Sequence, residues 1–356
     1  MNSLYPSMMH SKSGNRYPYG QGDYHTGKPP QKFWEDKNRF YFVRFRCRFH
    51  VKHSAFPWVH IRHSALYKAN ENLYTSDVRY KGKYYRYVKN LDGTVSDTTV
   101  ELTMTWSDYL LFLETYDIED FDWIDYAVFW AKVGLFDDYI DHYFSQKKTA
   151  KGFKRELAKL FLNNLYGKLA SSDNSSYKEP FLGEDGILKF QPHEAHDKAV
   201  GYIPAGSAVT SYALNFTVRH AIANHDRFCY ADTDSIHIVG DEPAEMVIED
   251  PVELCCWKNE SDFDRAYYVR QKTYAEHITV HDGNLVEPYL DIKASGMTKG
   301  AKDAFINAGL PINALDEGLE LEESNLKAER VPGGIVLREK TFKIRKQLDK
   351  KVNPVL

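Results

Sequence analysis

The sequence predicts an α+β chain whose strands pair antiparallel, and three stretches carry that reading. Residues 43–52 alternate without a fault between apolar and charged side chains, the period of a half-buried strand. Residues 151–168 hold the clearest helical pattern. Residues 228–239 read as a hairpin of two short apolar strands that carries Asp232-Thr233-Asp234-Ser235 at its tip.

Composition narrows the class. At 356 residues the chain has room for two or more modules. Lys and Arg number 46 against 50 for Asp and Glu, a net charge of -4, so any surface that attracts nucleic acid must be local. The four cysteines, Cys47, Cys229, Cys255 and Cys256, lack metal-type spacing, and reduced thiols imply an intracellular, cytoplasmic protein. No signal peptide or membrane-spanning run is evident. The 25 Tyr and 20 Phe are mostly core, but they also offer faces on which bases could stack.

Taken in order, Ser3-Leu4-Tyr5-Pro6-Ser7 is compact and motif-like, and residues 10–32 are loop-like. In the alternating stretch Val43, Phe45, Cys47, Phe49 and Val51 line one face; Arg44, Arg46, Arg48, His50 and Lys52 line the other. Such a cationic row is either solvated or answered by an anionic neighbour, phosphate or the acidic stretch Asp117, Glu119, Asp120, Asp122 and Asp125. In the helix, Leu157, Phe161 and Leu165 recur every four residues and with Leu160 form an apolar stripe, with Gly167 as C-cap. Lys151, Arg155, Lys159, Asn163 and Tyr166 follow the same spacing about 200° away. That face is either solvated or fitted to a triphosphate and a base. Residues 171–207 are turn-rich around Gly183-Glu184-Asp185-Gly186, an insertion-like hairpin. At the predicted hairpin tip, Asp232 and Asp234 point to one side, as oxygen ligands for a hard cation or as part of an Asx-type turn. In Arg270-Gln271-Lys272-Thr273-Tyr274 a short strand puts Lys272 and Tyr274 on one face, and Pro332-Gly333-Gly334 turns one strand into the next.

Ser3-Leu4-Tyr5-Pro6-Ser7, Lys159-Leu160-Phe161-Leu162-Asn163-Asn164-Leu165-Tyr166-Gly167, Tyr230-Ala231-Asp232-Thr233-Asp234-Ser235 and Lys272-Thr273-Tyr274 resemble, in this order, motifs A, B and C and the Lys-x-Tyr motif of family B DNA polymerases. The resemblance is closest to the protein-primed branch of small bacteriophages and linear plasmids, and it covers essentially the whole chain. It implies a palm, fingers and thumb: palm at 1–12 and 208–296, an insertion contacting terminal protein and DNA at 13–134, fingers at 135–170, a strand-displacement and processivity insertion at 171–207, and thumb at 297–356.

The same resemblance implies site roles. Asp232 and Asp234 would bind two Mg²⁺ ions, with Mn²⁺ as alternative. Lys159, with Arg155 and Lys147, would neutralise the incoming triphosphate, and Asn163 and Tyr166 would flank the nascent base pair. Leu4 and Tyr5 would contact the nucleotide, Tyr5 excluding a 2′-hydroxyl. Lys272 and Tyr274 would hold the primer terminus, and Arg44, Arg46 and Arg48 would contact DNA. Implied partners are primer-template DNA, deoxynucleoside triphosphates and a terminal protein, for a monomer that does not engage membrane. The chain departs from the pattern in Asn164, where the family has Ser, and at its start. Counting back from Ser3 puts the motif A Asp one residue before Met1, with the exonuclease region upstream of that. A catalytically silent fragment that binds DNA or docks terminal protein is therefore the alternative expectation.

Overall fold

The computed structural model describes residues 1, 3–31, 35–60, 72–90, 92–171, 178–192, 201–297, 299–309, 311–315, 320–331, 334–343 and 353–354. Contacts group the chain into two units, one of Met1–Ser171, Gly201–Lys258 and Asp349–Leu356, the other of Ser172–Val200 and Asn259–Leu348. The stretch 208–296, expected as one part of a palm, is thus divided between them.

The first unit opens with α1 (Leu4–Met9), β1 (Tyr17–Thr26) and β2 (Arg39–Val51). Short strands β3 (Val78–Tyr80), β4 (Lys83–Tyr85), β5 (Tyr87–Lys89) and β6 (Val95–Asp97) lead to β7 (Val100–Thr105), α2 (Trp106–Thr115) and β8 (Tyr116–Lys132). Helices α3 (Asp137–Thr149) and α4 (Phe153–Leu169) follow. The chain forms β9 (Lys178–Leu182) and β10 (Leu188–Pro192) in the second unit before returning as α5 (Ile203–Ala223) and the hairpin β11 (Phe228–Asp232) and β12 (Ser235–Ile238).

A four-stranded antiparallel sheet, in the order β1-β8-β2-β7, is the frame of this unit. Its two faces feed two cores. Tyr126 and Val128 of β8 and Val43, Phe45, Cys47 and Phe49 of β2 enter one, with α2 residues Leu111 and Phe112. Ala127, Phe129 and Ala131 enter the other, with Ile140 of α3, Leu162 of α4 and Ala208 and Val209 of α5. The alternation read in 43–52 is thus a strand with one buried face.

Its charged face lies against the acidic stretch. Arg44, Arg46, Arg48 and His50 stand directly opposite Asp125, Asp122, Glu119 and Asp117 of β8, the cross-strand placement in which opposite charges attract. Arg44 pairs with Asp125 at 2.8 Å and Arg46 with Glu101 at 2.5 Å. Arg48 is held by Asp77 at 2.6 Å, by Asp120 at 2.8 Å and by Glu119. Arg44, Arg46 and Arg48, expected to contact DNA, thus each carry a carboxylate partner from a neighbouring strand or loop.

The helix over 151–168 forms, but its buried stripe is offset from the one read in the sequence. Ala158 and Leu162 are the buried residues of α4, with Leu165, Tyr166 and Leu169 packed on the same core, whereas Leu160 is 53% and Phe161 39% exposed. Counting only large aliphatic residues hid a stripe that includes an alanine and a tyrosine. Gly167 is not the cap either. Leu169 packs into the core, so the helix continues until the Ala170 N–H bonds the Tyr166 carbonyl at 3.0 Å.

In the second unit, β9 and β10 pair antiparallel about Gly183–Ile187 as the insertion hairpin. Strands β13 (Ser261–Arg270), β14 (Thr273–His281) and β15 (Asn284–Ala294) form a meander, followed by α6 (Lys299–Asn307) and the pair β16 (Glu320–Val331) and β17 (Gly334–Lys343). Lys272 occupies the β13–β14 turn at φ 57° and Tyr274 lies in β14, so the two do not share one strand face as expected. Pro332 and Gly333, read as a turn, lie outside the described residues.

A buried polar knot joins α2 to α5. Asp108 accepts hydrogen bonds from Ser211 Oγ at 2.8 Å and Asn215 Nδ2 at 2.7 Å, and Thr105 caps α2 by accepting from the Asp108 N–H. Burial pushes the Asp108 carboxyl up to about 6 despite these bonds. Because this pKa is raised on folding, the associated stability is present below pH ~3.8 and lost as pH rises through about 6.

Two stability predictions follow from these charges. Arg48→Met should cost about 3–5 kcal/mol in chemical denaturation, since it leaves Asp77, which is 1% exposed, without its cation; Arg46→Ala, at an exposed pair, should cost far less in the same denaturation series. Asp108→Asn keeps the acceptor oxygen and removes the charge. Its stability should gain on the wild type by up to about 3 kcal/mol between pH 4 and 7, measured as the difference of two denaturation series.

Candidate active site

The first unit brings three of the four motif segments together. Tyr5, in the first turn of α1, stacks on Tyr166 of α4 with ring centroids 4.7 Å apart and planes at 27°. The Tyr5 hydroxyl is raised above its ordinary pKa, first by burial, then by Tyr166 and by the carboxylates of Asp234 and Asp232. A single ring thus touches the motif B helix and lies within electrostatic reach of both motif C aspartates.

The aspartates sit where the sequence reading puts them, at the tip of the β11–β12 hairpin. Asp232 faces Ser235 in the register, leaving Thr233 and Asp234 as the loop. The Thr233 N–H and hydroxyl both bond Asp232 Oδ1, at 2.8 and 3.2 Å. Thr233 carbonyl oxygen accepts from Thr217 Oγ1 of α5 at 2.9 Å, and the Asp234 carbonyl accepts from the Met1 amino group at 2.5 Å. At the base of the hairpin, Arg227 donates to the carbonyls of Val239, Gly240, Glu242 and Pro243. Neither Thr217 nor Arg227 is legible as a site residue in the sequence: one is a hydroxyl within a helix, the other a cation ahead of a strand.

Cations gather beside α1. Lys147, in the last turn of α3, donates from Nζ to Ser3 Oγ at 3.0 Å. Its ammonium is depressed by burial, then by Arg155 and Lys159. Arg155 is exposed and pairs with its neighbour Glu156, at 3.3 Å, while Lys147 and Lys159 have no carboxylate partner among the described residues. Charges that repel each other and lack a counterion form a ready anion site. Asn163 is exposed on the same helix.

Two predicted residues behave otherwise. Leu4 is 3% exposed and packs with Met8 and Ala213, so its side chain belongs to the core. Lys272 and Tyr274 belong to the second unit. Among the described residues no third His, Cys, Asp or Glu joins Asp232 and Asp234 in a metal-binding group. The four cysteines, all among the described residues, form no disulfide, and no described helix is long and apolar enough to cross a membrane.

The site thus sets two carboxylates on a hairpin tip and a group of cations on two helices about one stacked tyrosine. The chain belongs to the type B DNA polymerases, organellar and viral, whose family description matches residues 1–250. It is 36% identical over 353 residues to the DNA polymerase of Bacillus phage phi29 and 32% identical over 346 residues to that of Streptococcus phage Cp-1. It covers 97% of itself but only 57% and 56% of those polymerases. In structure it is similar to phi29 DNA polymerase complexed with primer-template DNA and incoming nucleotide, at a TM-score of 0.79 and 33% identity, again over 97% of this chain and 57% of that one.

The cation cluster generates a prediction with two readouts. Lys159→Met should weaken binding of inorganic tripolyphosphate about tenfold, the size of one charge-assisted contact. The Lys147 ammonium should simultaneously return toward its ordinary pKa, followed by NMR of the lysine side chains.

Proposed function

We propose that this chain is the polymerising portion of a DNA-directed DNA polymerase, carrying out templated nucleotidyl transfer in protein-primed phage or plasmid replication. The observation that carries it is Tyr5, stacked on the cation-bearing helix and electrostatically coupled to both aspartates. The site residues divide the work by chemistry. Lys147, Arg155 and Lys159 bind the triphosphate and stabilise charge that builds on it during displacement. Tyr166 and Asn163 border the base pair. Tyr5, its hydroxyl kept protonated by burial, presents a neutral ring beneath the sugar and leaves no room for a 2′-hydroxyl.

Asp232 and Asp234 suit a divalent cation in their donor chemistry: Mg²⁺ is commonly held by one or two carboxylates, with water and substrate phosphates completing its shell. Two bound Mg²⁺ ions, or Mn²⁺, would activate the primer hydroxyl and neutralise the departing pyrophosphate. Lys272 and Tyr274 are proposed to hold the primer terminus. Residues 1–12 and 208–296 would serve as palm, 135–170 as fingers and 297–356 as thumb. The segments 13–134 and 171–207 would serve as the insertions for terminal protein and strand displacement. The protein would act as a cytoplasmic monomer. A silent DNA-binding or terminal-protein-docking role is the second reading, favoured by the absence of a third ligating side chain beside the aspartate pair among the described residues.

Primer extension separates the two readings, run on the chain and on a form extended by the portion of the relatives it does not span. Asp234→Ala should lower extension about a thousandfold or more, roughly 4 kcal/mol, with DNA binding retained. Tyr5→Val should keep deoxynucleotide incorporation and lose discrimination against ribonucleotides. Extension that is absent from both forms supports the silent reading; normal extension by Asp234→Ala refutes the assigned metal role.

A further inference from the structure

We propose that Thr217 is a positioning residue for the Asp232–Asp234 pair, a role that rests on reading those carboxylates as cation ligands. The β11–β12 connection is a two-residue loop, and such loops favour left-handed residues because these match the twist of the paired strands. Other hairpins of the chain obey this: Lys81 and Gly82 have φ 47° and 79° between Tyr80 and Lys83, and Asp282 and Gly283 have φ 49° and 74° between His281 and Asn284. Neither Thr233 nor Asp234 has a positive φ. The tip that carries the aspartates is therefore not a primed turn, and its twist does not by itself match that of the paired strands, so a bond from outside the hairpin helps to set its direction.

Thr217 supplies that support. A threonine within a helix ordinarily returns its hydroxyl to a carbonyl of the preceding turn, as Thr210 does to Ser207 at 2.9 Å and Thr115 does to Leu111 at 2.7 Å. Thr217 instead directs its hydroxyl out of α5 to the Thr233 carbonyl at 2.9 Å, although Thr217 is buried at 7% exposure and Thr233 is exposed. The bonded peptide is the one linking Thr233 to Asp234, and the Thr233 N–H bonds the Asp232 carboxylate. Holding that carbonyl therefore sets the direction of both acidic side chains at once. Groups that orient ligands in this way typically change metal affinity by tenfold to a hundredfold when removed.

The test compares Thr217→Val, which replaces the hydroxyl by a methyl of nearly equal shape, with Thr217→Ser, which keeps it. Free and bound Mn²⁺ are counted by electron paramagnetic resonance on the 356-residue chain, with Asp234→Ala as the reference, and amide exchange is followed over residues 228–238. Thr217→Val should weaken Mn²⁺ binding about tenfold and speed exchange at Thr233 while the melting temperature stays close to wild type, and Thr217→Ser should restore both. Wild-type affinity and tip exchange in Thr217→Val would overturn the proposal, as would a loss that follows global stability and is not restored by serine. If Asp234→Ala binds Mn²⁺ like the wild type, the ligand reading itself fails, an outcome distinct from retained affinity in Thr217→Val alone.

Discussion

The contact on which the site depends is the stack of Tyr5 against Tyr166. It joins the short first helix to the helix that carries Arg155 and Lys159, and it does so beside the carboxylate hairpin. Aromatic pairs of this kind contribute about 0.5–1.5 kcal/mol beyond burial, a modest energy for a contact that fixes two elements far apart in sequence. The Lys147–Ser3 bond reinforces the same junction from α3. Around it the chemistry is asymmetric: unmatched cations on the helices, acceptor oxygens on the hairpin, and a neutral ring between them.

Charge is treated differently elsewhere in the first unit. Along β2 and β8 every described arginine of the alternating row meets a carboxylate from the neighbouring strand or loop, and Glu253 is shared by Lys12 and Lys148. Lys147 and Lys159, by contrast, have no carboxylate partner among the described residues, in a chain whose net charge is -4. A small positive site on a weakly negative protein localises anionic ligands better than a broadly basic surface would.

Features that repeat at short range were legible in the sequence, and those that depend on a distant partner were not. The alternation of 43–52 fixed the buried face of β2 because period 2 leaves no ambiguity, and the apolar flanks of Asp232-Thr233-Asp234 marked the hairpin. The row of arginines left phosphate and acid open, since only the pairing of β2 with β8 brings the carboxylates opposite it. The stripe of α4 was misread because Ala158 and Tyr166 count for little on a hydrophobicity scale yet face the core. Lys272 was assigned to a strand because nothing local announces a left-handed lysine. Thr217 was invisible: its role exists only once α5 lies beside the hairpin.

The sheet has a mechanical consequence as a wall shared by two cores. Successive residues of β8 enter opposite cores, Tyr126 and Val128 one, Ala127, Phe129 and Ala131 the other, and β2 does the same with Tyr41 and Phe40. Neither core can loosen without removing the backing of the other, which couples α2 to α3 and α4 through one sheet. Through that shared sheet, packing in one core reaches Tyr166, the stacking partner of Tyr5.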